Sequence, residues 1–419
     1  MEPLTAEDRA ILALERPGLV GHTCKVVRLA GSAPTPAERR AAVGLRLPEA
    51  PRLTWRLAGP ADAPAWEPAA VDLDAHVVGA PARAPLTGEE LRAAVERLFV
   101  QPLDRRRPLW RMDLVGPLAD GGAALVWRIH HALADGTTAL RLAQQVLWDP
   151  RPAGDGVDPP HHPPGRPAER ADDALRRQLA RLVRDELAPG LRRSPFDRRI
   201  GDARTAAWAV VPLAGVREAA RALAGATVND AVLAVVAGGL RRWLLARHGP
   251  VHDLRVKVPV SLHTDGDAAG NHDSFFRVGL PLGEPDPVAR LAAVRTQTAQ
   301  RKQHHDAEDL AGLKNRLART SPRLAAWSAR LQRSGRTFAL NVSNVRGPAA
   351  EVSVLGAQVA AIHPLVEVAP HHALRVAVVS LADRLCFGFV ADPAAVGDLD
   401  LLAASVEAEA GDLVAAGLA

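Results

Sequence analysis

Residues 123–147 restrict this chain more than any other stretch. Ala123 to Ile129 is rich in aliphatic and β-branched side chains, the composition of a buried strand. His130, His131, Ala132, Leu133, Ala134, Asp135 and Gly136 follow at once. From Thr137 to Leu147 the period changes, with Leu140, Ala143 and Val146 at helical spacing. Two imidazoles, a carboxylate and a glycine therefore stand at a strand-to-helix corner. Imidazole is the side chain best suited to moving a proton near neutrality. The bland alternative is concrete: Asp135 as a helix N-cap, Gly136 as a turn residue and both histidines satisfied inside a core.

Three other histidine pairs provide a control. His161-His162 is embedded among Pro159, Pro160, Pro163, Pro164 and Pro167 and reads as linker; His304-His305, beside Asp306, reads as a solvated helix face. His371-His372 follows Pro370 with no carboxylate suitably placed behind it. Only His130-His131 combines an apolar strand, a downstream acid and a glycine. Adjacent strand residues face opposite sides, so this pair would not converge on one ion, and no metal is expected.

The chain has 419 residues, 47% of them hydrophobic and 24% charged, enough for two packed domains. Lysine is scarce, tyrosine absent and arginine abundant, with a net charge of +5 that favours anionic partners. Aromatics are only 4%, and neither zinc-finger spacing nor an aromatic-interleaved basic stripe is present, so nucleic acid is not an expected partner. The apolar run Ala231–Leu240 is too short to span a bilayer, and Met1–Leu12 reads as a capped helix rather than a leader. Cys24 and Cys386 read as buried hydrophobes in a reducing cytoplasm.

Three segments are expected: a first domain over 1–150, a Pro-rich linker with a crossover helix over 151–204, and a second domain over 205–419. Thr5/Asp8, Thr87/Glu90 and Thr227/Asp230 have capping-box spacing ahead of helical patterns. Strands are predicted at Ala206–Val211, Leu254–Val260, Ser274–Leu280, Thr337–Val342, Gln358–His363, Leu374–Leu381 and Arg384–Val390, with helices over Leu213–Ala224 and Asp286–Ala311 and at the C-terminus. Both halves read as α/β units with mixed sheets.

The His-His-x-x-x-Asp-Gly segment resembles the HHxxxDG motif of CoA-dependent acyltransferases, and the chain is similar throughout to the bacterial wax ester synthase/diacylglycerol acyltransferase family. Pro108-Leu109-Trp110, Ser194-Pro195 with Gly201, Thr227-Val228-Asn229-Asp230, Val258-Pro259-Val260-Ser261, Gly270-Asn271, Ser343-Asn344-Val345-Arg346-Gly347-Pro348 and Phe387-Gly388-Phe389-Val390-Ala391-Asp392 follow in the family's order. Arg346 departs from a usual proline, and Arg111 from a usual acid. The resemblance implies two chloramphenicol-acetyltransferase-like domains, a sandwich of mixed sheets with a tunnel between them, and His131 as general base. Acyl-CoA is implied as a substrate, with no bound cofactor. A long-chain alcohol or diacylglycerol would be the acceptor, and contact with a membrane or lipid inclusion would be peripheral.

On strand alternation His131 shares its side with Leu125, Trp127 and Ile129, an apolar wall that favours neutral imidazole. His130 faces the other way and reads as structural. Asp135 reads as an anchor for the corner through an unidentified arginine, a role compatible with helix capping. Ser343 and Asn344, placed in a loop, and Asn229 are candidates to stabilise an oxyanion, with Gly136 beside them; Asp230 reads as helix start, and Trp110 as a core residue on the tunnel wall. Other readings remain open. His130 and Asp135 also spell His-x₄-Asp, a dyad of unrelated glycerolipid acyltransferases. A same-fold enzyme of secondary metabolism would use a carrier-protein thioester or an amine acceptor, and a lipid-surface binding protein would need no base.

Overall fold

Alternation of apolar residues over short runs, broken by capped helices, builds, among the described residues, two six-stranded mixed sheets and one small one. The computed structural model describes residues 2–32, 34–60, 63–79, 84–150, 194–261, 273–303 and 337–418. The expected linker and crossover helix over 151–193, His161-His162, Gly270-Asn271, His304-His305 and the end of the helix begun near Asp286 lie outside them.

The strands, in chain order, are β1 (Glu2–Pro3), β2 (His22–Ala30), β3 (Trp55–Ala58), β4 (Ala65–Pro68), β5 (Val77–Gly79), β6 (Trp110–Val115), β7 (Ala123–His130), β8 (Thr205–Pro212), β9 (Leu254–Ser261), β10 (Asp273–Leu280), β11 (Leu340–Val345), β12 (Ser353–Val354), β13 (Ala357–Val366), β14 (Leu374–Leu381) and β15 (Arg384–Ala391). The first large sheet runs β12-β13-β2-β7-β6-β5, the second β10-β9-β11-β14-β15-β8, and β1-β4-β3 form the small one. β5–β6, β9–β11 and β11–β14 are parallel, and the other pairings antiparallel. Two strands of the C-terminal half, β12 and β13, thus complete the first sheet.

Thr5, Thr87 and Thr227 cap their helices as their spacing predicts, each in a reciprocal box with the acid three residues on. Helices Leu213–Ala224, Val228–His248 and Leu399–Leu418 cover one face of the second sheet, where Leu340, Val342, Val376 and Val378 meet Val232, Val236 and Leu402 in one core. The opposite face, with Val379, Leu381 and Cys386, belongs to the core of the first sheet. Trp208 of β8 stacks on His363 of β13 at 5.3 Å, across the same junction. Both cysteines are free and buried. No helix among the described residues is by itself long and apolar enough to cross a membrane.

Candidate active site

The corner forms as the residue pattern predicts. β7 is buried along its whole length and is followed by the helix Gly136–Val146. Odd residues Leu125, Trp127 and Ile129 enter one core with that helix's Ala139, Leu142 and Ala143, while Ala124 and Val126 enter another with Leu91, Val95 and Phe99. The main chain at the corner is held from two sides: His130 N donates to Leu109 O (2.9 Å) and His131 N to Gly21 O (2.8 Å).

The two histidines have different surroundings. His130 is buried; its Nδ1 accepts from Ala132 N (3.1 Å), and its Nε2 lies 3.1 Å from Glu15 Oε1, off the line of a good hydrogen bond. This places the proton on Nε2, facing a carboxylate. Burial works to raise the pKa of Glu15, but His130, Arg105 and the Gly21 amide outweigh it and bring the carboxyl to about 2. Gly21 is obligatory here, because a Cβ at that position would overlap His130 Nε2. The loop carrying Gly21 is itself anchored by a buried pair: Arg204 Nε donates to Glu367 Oε1 (2.6 Å), Arg204 also donates to Gly18 O, and Glu367 accepts from Val20 N.

His131 is only partly buried by surface, yet crowded enough to lose most of its hydration. That desolvation, followed by the positive field of Arg375, brings its pKa down to about 4, against opposing contributions from Asp135 and from the residue's own backbone carbonyl. Arg375 lies on β14 of the second sheet, so the two sheets meet electrostatically over this ring. They also meet sterically, since a Cβ on Gly136 would lie 3.2 Å from Val345 Cγ2 of β11.

Asp135 is the N-cap of the Gly136–Val146 helix and accepts from Thr138 N at 2.7 Å. Lys25 on β2 couples electrostatically to Asp135: burial pulls the lysine down to about 8, while Cys24 and Asp135 act to raise it. Lys25 pairs in register with Trp127 and has its ammonium 5.8 Å from that ring. Asp135→Ala is expected to lower stability by about 1 kcal/mol through loss of the cap, with Asp135→Asn restoring most of it. Urea denaturation decides: an Asn variant as weak as the Ala variant would show that charge, not capping, holds the corner.

The remaining candidates scatter. Ser343 and Asn344 lie inside β11 rather than in a loop, because parallel pairing with β14 extends the strand to Val345. Alternation then separates them: Ser343 shares the side of Val345, toward the first sheet, whereas Asn344 shares the side of Val342, toward the helices. Asn229 is the second residue of its helix, partly buried, and makes no side-chain hydrogen bond among the described residues. Asp230 is structural, closing the Thr227 box and accepting from Thr298 Oγ1 at 2.6 Å. Trp110 is a core residue whose Nε1 donates to Leu53 O (2.7 Å) and whose ring lies 4.4 Å from His76. Of the departures, Arg111 donates to Asp113 Oδ1 and Arg346 is exposed. His371 lies 2.8 Å from Asp197, away from the corner.

Glu15, Lys25, Arg204, Glu367 and Arg375 were not singled out from sequence. Each is an isolated charged residue far along the chain from the histidines, so no local spacing marks it.

Comparison with known proteins fits this geometry. Residues 4–190 match the wax ester synthase/diacylglycerol acyltransferase catalytic domain, and residues 269–413 the WS/DGAT C-terminal domain. A Mycobacterium tuberculosis protein named "Probable diacyglycerol O-acyltransferase tgs2" is 31% identical over 82% of both chains. A second relative from that organism is 34% identical over 68% of both. Among solved structures, the wax ester synthase/diacylglycerol acyltransferase of Marinobacter aquaeolei VT8 superposes with a TM-score of 0.74 at 23% identity, covering the whole of both chains. The starter condensation domain of rhizomide synthetase gives 0.59 at 15% identity, covering all of this chain and 94% of that one. The two-domain acyltransferase fold read from the motif order is therefore present, and the chain belongs to the wax ester synthase/diacylglycerol acyltransferase family of acyltransferases.

Proposed function

We propose that this acyltransferase moves a fatty acyl group from acyl-CoA to the hydroxyl of a long-chain alcohol or diacylglycerol, in one direct step with His131 as the base. One observation carries the reading: an imidazole with a depressed pKa of about 4 that still meets solvent, at the place where the two sheets converge. A hydroxyl attacks a thioester poorly until its proton is removed, and neutral imidazole is the form that removes it.

The acceptor oxygen attacks the thioester carbon as the neutral imidazole takes its proton. The tetrahedral intermediate collapses with cleavage of the C–S bond, and the imidazolium returns the proton to the departing CoA thiolate. No acyl-enzyme is needed, because the thioester arrives activated. Arg375 disfavours lasting imidazolium, which speeds that return. On its side of β11, Ser343 is the remaining candidate donor to the oxyanion, Asn344 being turned the other way.

Thiol release from a long-chain acyl-CoA, measured against alcohols, diacylglycerol, amines and water, tests the proposal. Turnover stimulated by hydroxyl acceptors supports it; release to water alone, or preference for amines, overturns it. The pH dependence is a second check. A base is active when deprotonated, so kcat/KM should stay flat from about pH 5.5 to 8 and fall only as pH drops toward about 4. An acid limb between about pH 6 and 7, near free histidine, would contradict the assignment.

A further inference from the structure

An open cleft of about 580 Å³ lies at the rim of the first sheet, lined among others by Arg56, Asp72, His76, Asp104, Arg106 and Arg107. Its size is that of an ordinary small-molecule site. Its arginines are fixed rather than free. Arg56 donates through Nε and Nη2 to Glu67, Arg106 through Nε and Nη2 to Asp104, and Arg107 through Nη1 to Asp72. Each carboxylate holds one edge of a guanidinium, and a guanidinium has five donors, so the remaining N–H groups stay available. At His76 the field is net positive, with Arg107 and Arg111 acting against Asp72. His76 is buried, its Nδ1 is engaged by Trp110 O at 2.7 Å, and its buried Nε2 has no hydrogen-bond partner among the described residues.

Both walls of this cleft are tied to the catalytic corner. On one side Pro108 precedes Leu109, whose carbonyl holds His130 N. On the other, β3 carries Arg56 and follows Arg52, whose Nε donates to Leu133 O (3.3 Å) within the turn after His131. The walls of the cleft and the histidine corner are therefore joined through the main chain.

We propose that this cleft binds the phosphorylated nucleotide end of the acyl donor. Arg56, Arg106 and Arg107 supply charge-assisted hydrogen bonds to the phosphates, and the positive field that also acts on His76 adds to their attraction. This assignment rests on the reading that the donor is acyl-CoA. Phosphate groups attract guanidinium through paired, directional hydrogen bonds, which surface lysines would not match.

The test compares the wild-type chain with the Arg56→Ala/Arg106→Ala double variant, both sites being exposed enough to leave the core untouched. Calorimetric titration with adenosine 3′,5′-bisphosphate should show binding to the wild type and at least tenfold weaker binding to the variant. The ratio of kcat/KM for palmitoyl-CoA to that for palmitoyl-pantetheine, which lacks the nucleotide, should fall by about tenfold or more, since each charge-assisted hydrogen bond accounts for about that factor. An unchanged ratio with active enzyme overturns the cleft assignment and leaves acyl transfer standing. Loss of binding to phosphatidylglycerol vesicles with that ratio unchanged would mean that the arginines read lipid phosphate, which also overturns it. If the wild type releases thiol from neither thioester, the acyl-transfer reading fails, and bisphosphate titration alone then judges the cleft.

Discussion

His131→Ala lowers kcat for acyl transfer by about 10²–10⁴-fold, the usual contribution of a positioned general base. On the proposed mechanism the loss is in kcat more than in KM, because a base acts on the proton in flight rather than on either substrate at rest. Stability should change little: His131 is partly exposed, its amide bond to Gly21 O survives the substitution, and the Asp135 cap is untouched. His130→Ala is the informative partner. It strips a buried ring from Ala132 N and leaves Glu15 facing an empty space, which should cost about 1–3 kcal/mol in stability. Its effect on turnover is indirect, through the position of the corner. Measured thiol release should therefore collapse in the His131 variant and be retained in part in the His130 variant; collapse in the His130 variant alone would reassign the base and revive the His-x₄-Asp reading.

Gly388→Ala should damage the whole molecule. Gly388 is in the middle of β15, and a Cβ there would overlap the carbonyl oxygen of Pro364 on β13. That oxygen belongs to backbone locked in the first sheet, with Pro364 in register with Lys25, so no flexible side chain can yield. The two sheets would have to separate. Overpacking of this kind costs about 1–3 kcal/mol when neighbours can shift and more when they cannot. Because the same junction brings Arg375 and Val345 over the His131 corner, activity should fall with stability, and the fluorescence-detected melting temperature should drop by several degrees. A variant that melts like the parent would show that the sheets are less closely engaged than these contacts require.

The difference between what local spacing conveys and what it hides is visible residue by residue. The three threonine boxes and the Asp135 cap were legible because cap and partner lie within four positions. Strands such as Leu374–Leu381 were legible from apolar runs bounded by turns. A fourth box, Thr35 with Glu38, carries the same signal and was passed over. Ser343 and Asn344 misled because a Ser-Asn pair ahead of Gly-Pro has turn composition, yet pairing with Ala377 and Val378 of β14 holds it extended. The Glu15–His130 contact and the coupling of Lys25 to Asp135 each join residues more than 100 positions apart, and a single sequence has no periodicity on that scale.

The chain order of the first sheet has a consequence for biosynthesis. β2, the immediate neighbour of β7, presents an open edge until β13 leaves the ribosome, by which point most of the polypeptide already exists. Arg375, on β14, emerges later still. Neither half therefore holds the completed surroundings of His131 during translation, and the nascent chain must be protected from sticking through that edge until its closing strands arrive.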